Sequence, residues 1–277
     1  MPSGEPPPAL YEGGTYSAAR PGLDRVLEPV RALVERDKLR FLRGLSPGSR
    51  VLELGAGDGR FVSRLAQAGL DAWGIEPSEG AVQLARARGA PVERAAVEEL
   101  DLEPASLDAV VVWHVLEHLR DPAEVTARIA NWLRPHGQVV VACPNLDSLQ
   151  ASIGGDRWFH QDVPRHLTHF TAAGLALLLE RSGFRLERMS HVIVEQNPLG
   201  MWQTLLNRIT VRPNVAFRAV KRDLDRGPGL GRDLAFSAIA GPLLAPVAIA
   251  LELGAGLVGR GGSVVAVAQR DPHLHGP

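Results

Sequence analysis

Short apolar runs alternate along most of the chain with amphipathic stretches. The runs are typical of strands, and the stretches repeat with the period of a helix. Runs of four to eleven residues, rich in valine, leucine and isoleucine, predict seven strands, at 50–54, 70–75, 92–95, 108–113, 138–143, 184–194 and 263–269. Stretches with apolar residues three and four apart predict helices, at 24–42, 58–68, 78–88, from 121 onwards and at 171–181. Strands separated by helices of this length are typical of a parallel sheet with helices on both faces.

Capping signals support three of these helices. Asp24 and Ser78 precede periodic segments and can act as N-caps. Asp121 is followed by Pro122, the arrangement that favours the first turn of a helix.

The rhythm of strands and helices divides the chain into four parts. Residues 1–22 are rich in proline and glycine and are expected to be a flexible lead. Residues 23–195 and 262–270 are predicted to form the α/β core. Residues 196–261 interrupt the rhythm and are predicted to be an inserted, helical and partly apolar subdomain, and 271–277 a tail.

The charge and cysteine content exclude several classes of protein. The 277 residues include 30 basic and 31 acidic side chains, for a net charge of −1. This balance argues against a partner bound by neutralising many phosphates, so no nucleic acid is expected. A single cysteine excludes an internal disulfide framework, and the first residues have neither a basic start nor an apolar run. We therefore expect a cytoplasmic protein, either free or in peripheral contact with a membrane.

A glycine-rich loop follows the first predicted strand. Gly55, Gly57 and Gly59, with Ala56 between the first two, allow a sharp turn into a helix N-terminus. Glu76 ends the second strand 21 residues after Gly55. An acid at about 20 residues from the first glycine is placed to accept hydrogen bonds from ribose hydroxyls. The pattern therefore predicts a nucleoside-binding site.

The spacing separates two classes of nucleoside cofactor. A dinucleotide fingerprint needs glycine at position 60, which is arginine here. The observed G-x-G-x-G, preceded by Glu53, resembles the class I S-adenosylmethionine-dependent methyltransferases. The resemblance implies that Glu53 lies near the amino end of adenosylmethionine, that residues 55–59 pass its methionine and ribose, and that Glu76, with Pro77 after it, holds the ribose.

Further segments extend the resemblance over about 45–195 and the final strand. Val97 and Glu98 stand where the family contacts the adenine, although the usual aspartate position is Ala96. Residues 113–119 match the segment that closes over the methionine end. Residues 164–170, PRHLTHF, resemble a stretch of one bacterial methyltransferase subgroup. The family fold implied is a Rossmann-like seven-stranded sheet of order 3-2-1-4-5-7-6 with the last strand antiparallel.

The motif His114-x-x-Glu117-His118 has three interpretations. An inverted zinc-peptidase signature needs both histidines on one helix, whereas a strand precedes this motif and Asp121-Pro122 follows it. Methyltransferases that act on ubiquinone precursors carry an acid-x-x-Glu-His group here and bind a divalent ion, but the first acid is replaced by His114. We predict no metal, and expect Glu117 and His118 to pack under the cofactor loop.

The acceptor chemistry is predicted less specifically. A hydroxyl acceptor needs a base, and His114, which also lies beside the predicted cofactor, His166 and His169 are the candidates. Arg157 and Arg165 could bind an anionic acceptor or pair with neighbouring aspartates. We expect methyl transfer to a small molecule, through a hydroxyl or an amine, including lipid-linked or sugar-type acceptors. The alternatives are a nucleotide-cofactor oxidoreductase and a non-catalytic membrane-peripheral module of the same fold.

Residues 234–258 form an apolar run with one charge, Glu252, long enough to cross a bilayer. Pro242, Pro246 and the glycines at 254 and 256 are expected to interrupt a helix, and the seventh strand must return to the sheet. Residues 208–232 before it carry seven basic and two acidic side chains. Two interpretations stay open: peripheral membrane contact through 208–258, or an apolar cap over the acceptor pocket or a homodimer interface.

Overall fold

The computed structural model describes residues 34–273, except 43, 195, 222, 223 and 226. The lead at 1–22, the Asp24 cap and most of the tail lie outside the described residues. Within them, residues 34–39 are helical. The described chain groups into two compact units, one of Pro144–Thr171 with Ser190–Val264, and the other of the remaining described residues. We call these the helical unit and the sheet unit.

A seven-stranded sheet has the order β3-β2-β1-β4-β5-β7-β6. Pairing is parallel from β3 through β5, and the last strand is antiparallel, so the predicted fold class and strand order are confirmed. The strands are β1 Arg50–Leu54, β2 Asp71–Glu76, β3 Val92–Arg94, β4 Leu107–Trp113, β5 Leu133–Pro144, β6 Phe184–Ser190 and β7 Ser263–Arg270.

Besides the helical residues 34–39, eight helices of the described chain connect and flank these strands, along with short 3₁₀ turns. They are α1 Arg60–Gln67, α2 Glu79–Ala87, α3 Pro122–Trp132, α4 Leu149–Gly154, α5 Ala172–Arg181, α6 Asn197–Asn207, α7 Val215–Lys221 and α8 Leu230–Leu257. Two predicted caps are confirmed. The Ser78 hydroxyl accepts from the Ala81 N–H, and the Asp121 carboxylate accepts from the N–H groups of Ala123 and Glu124.

The centre of the sheet positions the candidate site. β1 lies between β2 and β4, with Glu53 opposite both Gly74 and Val111. β4 is buried on both faces through Ala109–Val112, as its unbroken apolar run predicts. Because β1, β2 and β4 are parallel, the residues that follow Leu54, Ile75 and Val112 meet at one edge of the sheet.

Apart from shifts of one or two residues at element ends, the structure differs from the sequence prediction in three respects. β6 ends at Ser190 rather than at 194. β5 begins at Leu133 rather than at 138, and the extra residues form an irregularity opposite Asp108, with His136 at a φ of 65°. The positive φ lets the chain bulge without leaving the strand.

The third difference is α8, which runs unbroken for 28 residues through Pro242, Pro246 and the two glycines. The expectation of an interrupted helix was therefore wrong. Each proline removes one N–H donor from the ladder, and the helix continues through both positions. The Gly241 carbonyl also accepts a hydrogen bond of 2.8 Å from the Trp202 indole N–H of α6.

Candidate functional site

The glycine loop turns sharply between β1 and α1. Gly55, Gly57 and Gly59 have φ values of 69°, 54° and 72°, which disfavour any other residue. A Cβ on Gly55 would lie 2.4 Å from the Val115 side chain, and one on Gly59 would lie 2.5 Å from the Cβ of Ala90. At these two positions the lack of a side chain allows neighbouring residues of the protein to pack directly against the loop.

Glu76 is held in front of this loop. Its carboxylate accepts one hydrogen bond from the Gly57 N–H and another from the Ser78 N–H, each of 3.0 Å. The side chain is 5% exposed, and burial raises the pKa of Glu76 above its ordinary value, against the opposing effect of these two N–H donors. Each oxygen retains a second lone-pair direction, so the fixed carboxylate can accept further hydrogen bonds.

The other residues predicted for the start of the site lie around the same edge. Glu53 is buried in β1, one residue before the strand ends. Ala56 is buried, and its N–H donates to the Ile75 carbonyl at 2.9 Å. Pro77 is exposed after β2. Three segments of the chain thus converge where the sequence predicts adenosylmethionine.

The segment predicted to contact adenine is a short 3₁₀ turn over Val97–Glu99. Val97 is buried, whereas Glu98 is exposed. The Arg128 guanidinium on α3 donates to the carbonyls of Val97 at 3.2 Å and Glu98 at 3.0 Å, and also to that of Leu100. Sequence analysis missed Arg128, since a lone arginine on an amphipathic helix has no distinguishing pattern.

His114 follows β4 with a φ of 54°, an unusual value for a residue with a side chain. Its Nδ1 lies 3.2 Å from the Glu117 carboxylate, which is buried. His118 is partly exposed in the adjoining 3₁₀ turn Leu116–His118. The contact between His114 and Glu117 orients the imidazole.

The remaining two predicted bases belong to the helical unit. Nδ1 of His166 lies 2.8 Å from the His160 carbonyl, and Nε2 of His169 lies 3.2 Å from the Gln161 carbonyl. A carbonyl only accepts, so each of these nitrogens donates its N–H. Nε2 of His166 lies 4.0 Å from the Asp162 carboxylate. Both imidazoles are therefore fixed in orientation by backbone carbonyls.

The two arginines of this region are engaged by the protein. Arg165 pairs with Asp162 at 2.8 Å, one of the alternatives the sequence left open. Arg157 donates to the carbonyls of Asn207 at 3.0 Å and Thr210 at 2.7 Å. Arg157 therefore ties the start of the helical unit to the end of α6.

Fold, loop and acid together define a nucleoside-binding protein with the class I methyltransferase architecture. Residues 27–188, more than half of the chain, match the family model described as a methyltransferase domain. The chain therefore belongs to this methyltransferase family, and the resemblance stated from the motifs is confirmed.

The chain is also similar to individual members. It is 35% identical over 142 residues to a probable S-adenosylmethionine-dependent methyltransferase of Mycolicibacterium smegmatis, covering 50% of this chain and 53% of that protein. It is 30% identical over 187 residues to a ubiquinone biosynthesis O-methyltransferase of Cupriavidus pinatubonensis, covering 62% and 74%. The chain thus spans about half the length of the mycobacterial relative.

Solved structures share the fold. A SAM-dependent methyltransferase from Archaeoglobus fulgidus has a TM-score of 0.55 at 20% identity, covering 86% of this chain and 94% of that one. A phosphoethanolamine N-methyltransferase from Haemonchus contortus, in complex with phosphomonomethylethanolamine and S-adenosylhomocysteine, has a TM-score of 0.54 at 20% identity, covering 86% and 52%. The cofactor of the family is S-adenosylmethionine, as the motifs predicted.

The donors and acceptors of the sheet unit fit this cofactor. A ribose presents two hydroxyl donors, and Glu76 offers two fixed acceptor oxygens. The sulfonium and amino groups are cationic, and Glu53 supplies a buried carboxylate beside the loop.

Proposed function

We propose that this chain is an S-adenosylmethionine-dependent methyltransferase acting on a small-molecule acceptor, with a hydroxyl as the favoured acceptor group. The observation that carries the proposal is the Glu76 carboxylate, fixed by two backbone N–H groups in front of the G-x-G-x-G loop. The ubiquinone biosynthesis O-methyltransferases among its relatives support a hydroxyl acceptor.

When bound, adenosylmethionine supplies an electrophilic methyl group, and the protein supplies alignment, exclusion of water and removal of a proton. Glu76 would hold the ribose, Glu53 would face the amino end, and Val97 with Glu98 would border the adenine. His114, His166 and His169 are the candidates to take the proton of the acceptor hydroxyl, and each imidazole is held in orientation by a contact within the protein.

Calorimetric titration with adenosylmethionine and adenosylhomocysteine tests the cofactor site. We expect Glu76→Ala to weaken binding by about 10- to 150-fold, corresponding to ~1.5–3 kcal/mol for a lost charged acceptor. Glu79→Ala is the matched control, because Glu79 is a neighbouring acid whose carboxylate contacts Arg94 at the surface, 3.6 Å away. Equal affinities in the wild type and Glu76→Ala would refute the ribose role of Glu76.

Turnover tests the enzymatic part and separates it from a non-catalytic module. Lysate or lipid extract is incubated with methyl-labelled adenosylmethionine, and the labelled products are identified by mass spectrometry. We expect label in a small molecule together with adenosylhomocysteine. Cofactor binding without a labelled product from any extract would assign the chain to the non-catalytic alternative, whereas preferential binding of a nicotinamide cofactor would favour the oxidoreductase.

A further inference from the structure

The polarity of helix α8 is inverted relative to a helix of a water-soluble domain. Its mean hydropathy reaches 2.1, yet only 17% of the most apolar window is buried. A helix this apolar normally lies in the interior of a protein. In α8 the large apolar side chains are exposed instead, among them Ile239 and Leu243, each 71% exposed.

The buried stripe of α8 is made of polar and small residues. Asp233, Ser237, Gly241, Ala248 and Glu252 repeat at spacings of four and seven and are all buried. The Glu252 carboxylate is 3% exposed and accepts from the Gln150 amide at 2.8 Å and from the Gly262 N–H at 2.6 Å.

The Asp233 carboxylate accepts from the N–H groups of Val211 and Arg212, and Gly241 meets Trp202 of α6. The buried polar atoms of α8 are therefore held by the helical unit.

The exposed face of α8 is apolar without interruption. It carries a set of large side chains, each at least 47% exposed: Phe236, Ile239, Leu243, Val247, Ile249, Leu253 and Leu257. At 100° per residue this set covers roughly half of the helix circumference. Asp233 and Glu252 are the two charged residues between Arg232 and Arg260, and both are buried. A single partner helix would cover a narrower stripe than this face.

The segment that leads into the first turn of α8 carries the charge that complements anionic lipid. Residues 208–232 have a net charge of +5. Exposed apolar side chains alternate with these basic residues, since Ile209, Val211 and Val220 are each at least 48% exposed. Basic residues mixed with exposed apolar ones are typical of segments at the interface of an anionic bilayer.

We propose that α8 and the described part of the segment from 208 to 229 form a docking surface for an anionic lipid bilayer, with the outer face of α8 lying in the hydrocarbon of one leaflet and the exposed Arg208 and Arg232 at the headgroups. The helix does not cross the bilayer, because β7 begins at Ser263 and belongs to the same sheet as β1. Small inward residues, hydrogen-bonded polar groups and outward leucines and isoleucines are the arrangement that hydrocarbon favours. This proposal stands independently of the methyl transfer proposed above.

Vesicle flotation with the purified full chain tests the proposal. We expect the wild type to float with vesicles of phosphatidylcholine containing about one third phosphatidylglycerol, and to bind pure phosphatidylcholine or high-salt samples more weakly because salt screens the basic segment.

The double variant Ile239→Glu/Leu243→Glu should bind at least about tenfold more weakly, because two charges would enter the hydrocarbon. Leu177→Glu is the matched control, since Leu177 is 51% exposed on α5 of the sheet unit, and it should bind as the wild type does.

Circular dichroism and thermal melting show whether each variant keeps its fold. Should the double variant unfold, Leu253→Ser serves as the milder replacement on the same face. Failure of the wild type to float, or equal flotation of a folded Ile239→Glu/Leu243→Glu variant, overturns the proposal. A dimer in light scattering that the double variant dissociates, without any flotation of the wild type, would also overturn it and assign this face to a second copy.

Discussion

A single carboxylate, that of Glu76, connects the fold to the expected chemistry. Its position at the end of β2 is set by the strand, and its orientation is set by the N–H groups of Gly57 and Ser78. A carboxylate that is already hydrogen-bonded and buried loses little side-chain entropy when it binds a ligand. This preorganisation is why the loss of Glu76 should be costly for cofactor binding.

The raised pKa of Glu76 predicts a pH dependence. Ribose hydroxyls donate to the ionised form, so the affinity for adenosylhomocysteine should fall as the pH drops through the raised pKa, at a higher pH than for an ordinary glutamate. The stability of the cofactor-free protein should depend on pH in the opposite direction. Because the pKa of Glu76 is raised in the folded protein, the contribution of this group to the free energy of unfolding is lost as the pH rises through the same range. Calorimetry and denaturation from pH 4 to 8 check both trends, and Glu76→Gln should remove them.

Arg128 is predicted to position the adenine side of the site. Arg128→Met would leave the carbonyls of residues 97, 98 and 100 without their donor, so the turn would loosen. We expect adenosylhomocysteine affinity to fall by about tenfold, the equivalent of ~1.4 kcal/mol, with a smaller loss in Arg128→Lys. Arg181→Met, at an exposed arginine at the end of α5, is the control. Unchanged affinity in a folded Arg128→Met variant would contradict the role.

At the scale of elements, the turn from β1 into α1 depends on Gly59. Gly59→Ala combines a φ of 72° with a Cβ 2.5 Å from Ala90 and 2.9 Å from Ala85. We expect the free energy of unfolding to fall by about 2 kcal/mol or more in urea denaturation.

Gly80 is the matched control, because it lies in the first turn of α2 and its Cβ would meet the Ser78 hydroxyl at an ordinary 4.0 Å. Gly80→Ala should stabilise the fold by about 0.4–1 kcal/mol. If Gly80→Ala lost as much stability as Gly59→Ala, the loss at position 59 would not reflect a special requirement for glycine in the loop.

At the scale of the whole molecule, the cofactor should stabilise the native state by mass action. A ligand at 100 times its Kd adds about 2.7 kcal/mol to the free energy of unfolding if it binds the folded protein alone. Adenosylhomocysteine should therefore raise the melting temperature of the wild type and of Glu79→Ala. At the same concentration it should stabilise Glu76→Ala by only about 0.3–1.4 kcal/mol, given the 10- to 150-fold weaker affinity expected above, so the melting temperature of that variant should rise less, as differential scanning fluorimetry can measure.

The sequence predicted the architecture because its signals are local. Apolar runs such as 108–113, caps such as Ser78 and Asp121, and the spacing of Gly55, Gly57 and Gly59 each report on a few neighbouring residues. The strand order came from the family resemblance, and the sheet confirms it. The spacing of Glu76 from Gly55 predicted its role at the ribose, whereas the role of Glu53 came from the family resemblance.

Only the tertiary structure decided features that depend on residues far apart in the chain. Arg128 reaches a turn 28–31 residues away, and His166 and His169 are fixed by carbonyls that no periodicity reveals. The continuity of α8 through two prolines, and the direction of its apolar face, depend on what packs against it. Composition gives the hydropathy of a helix, whereas the side on which its polar groups are satisfied is a property of the folded chain.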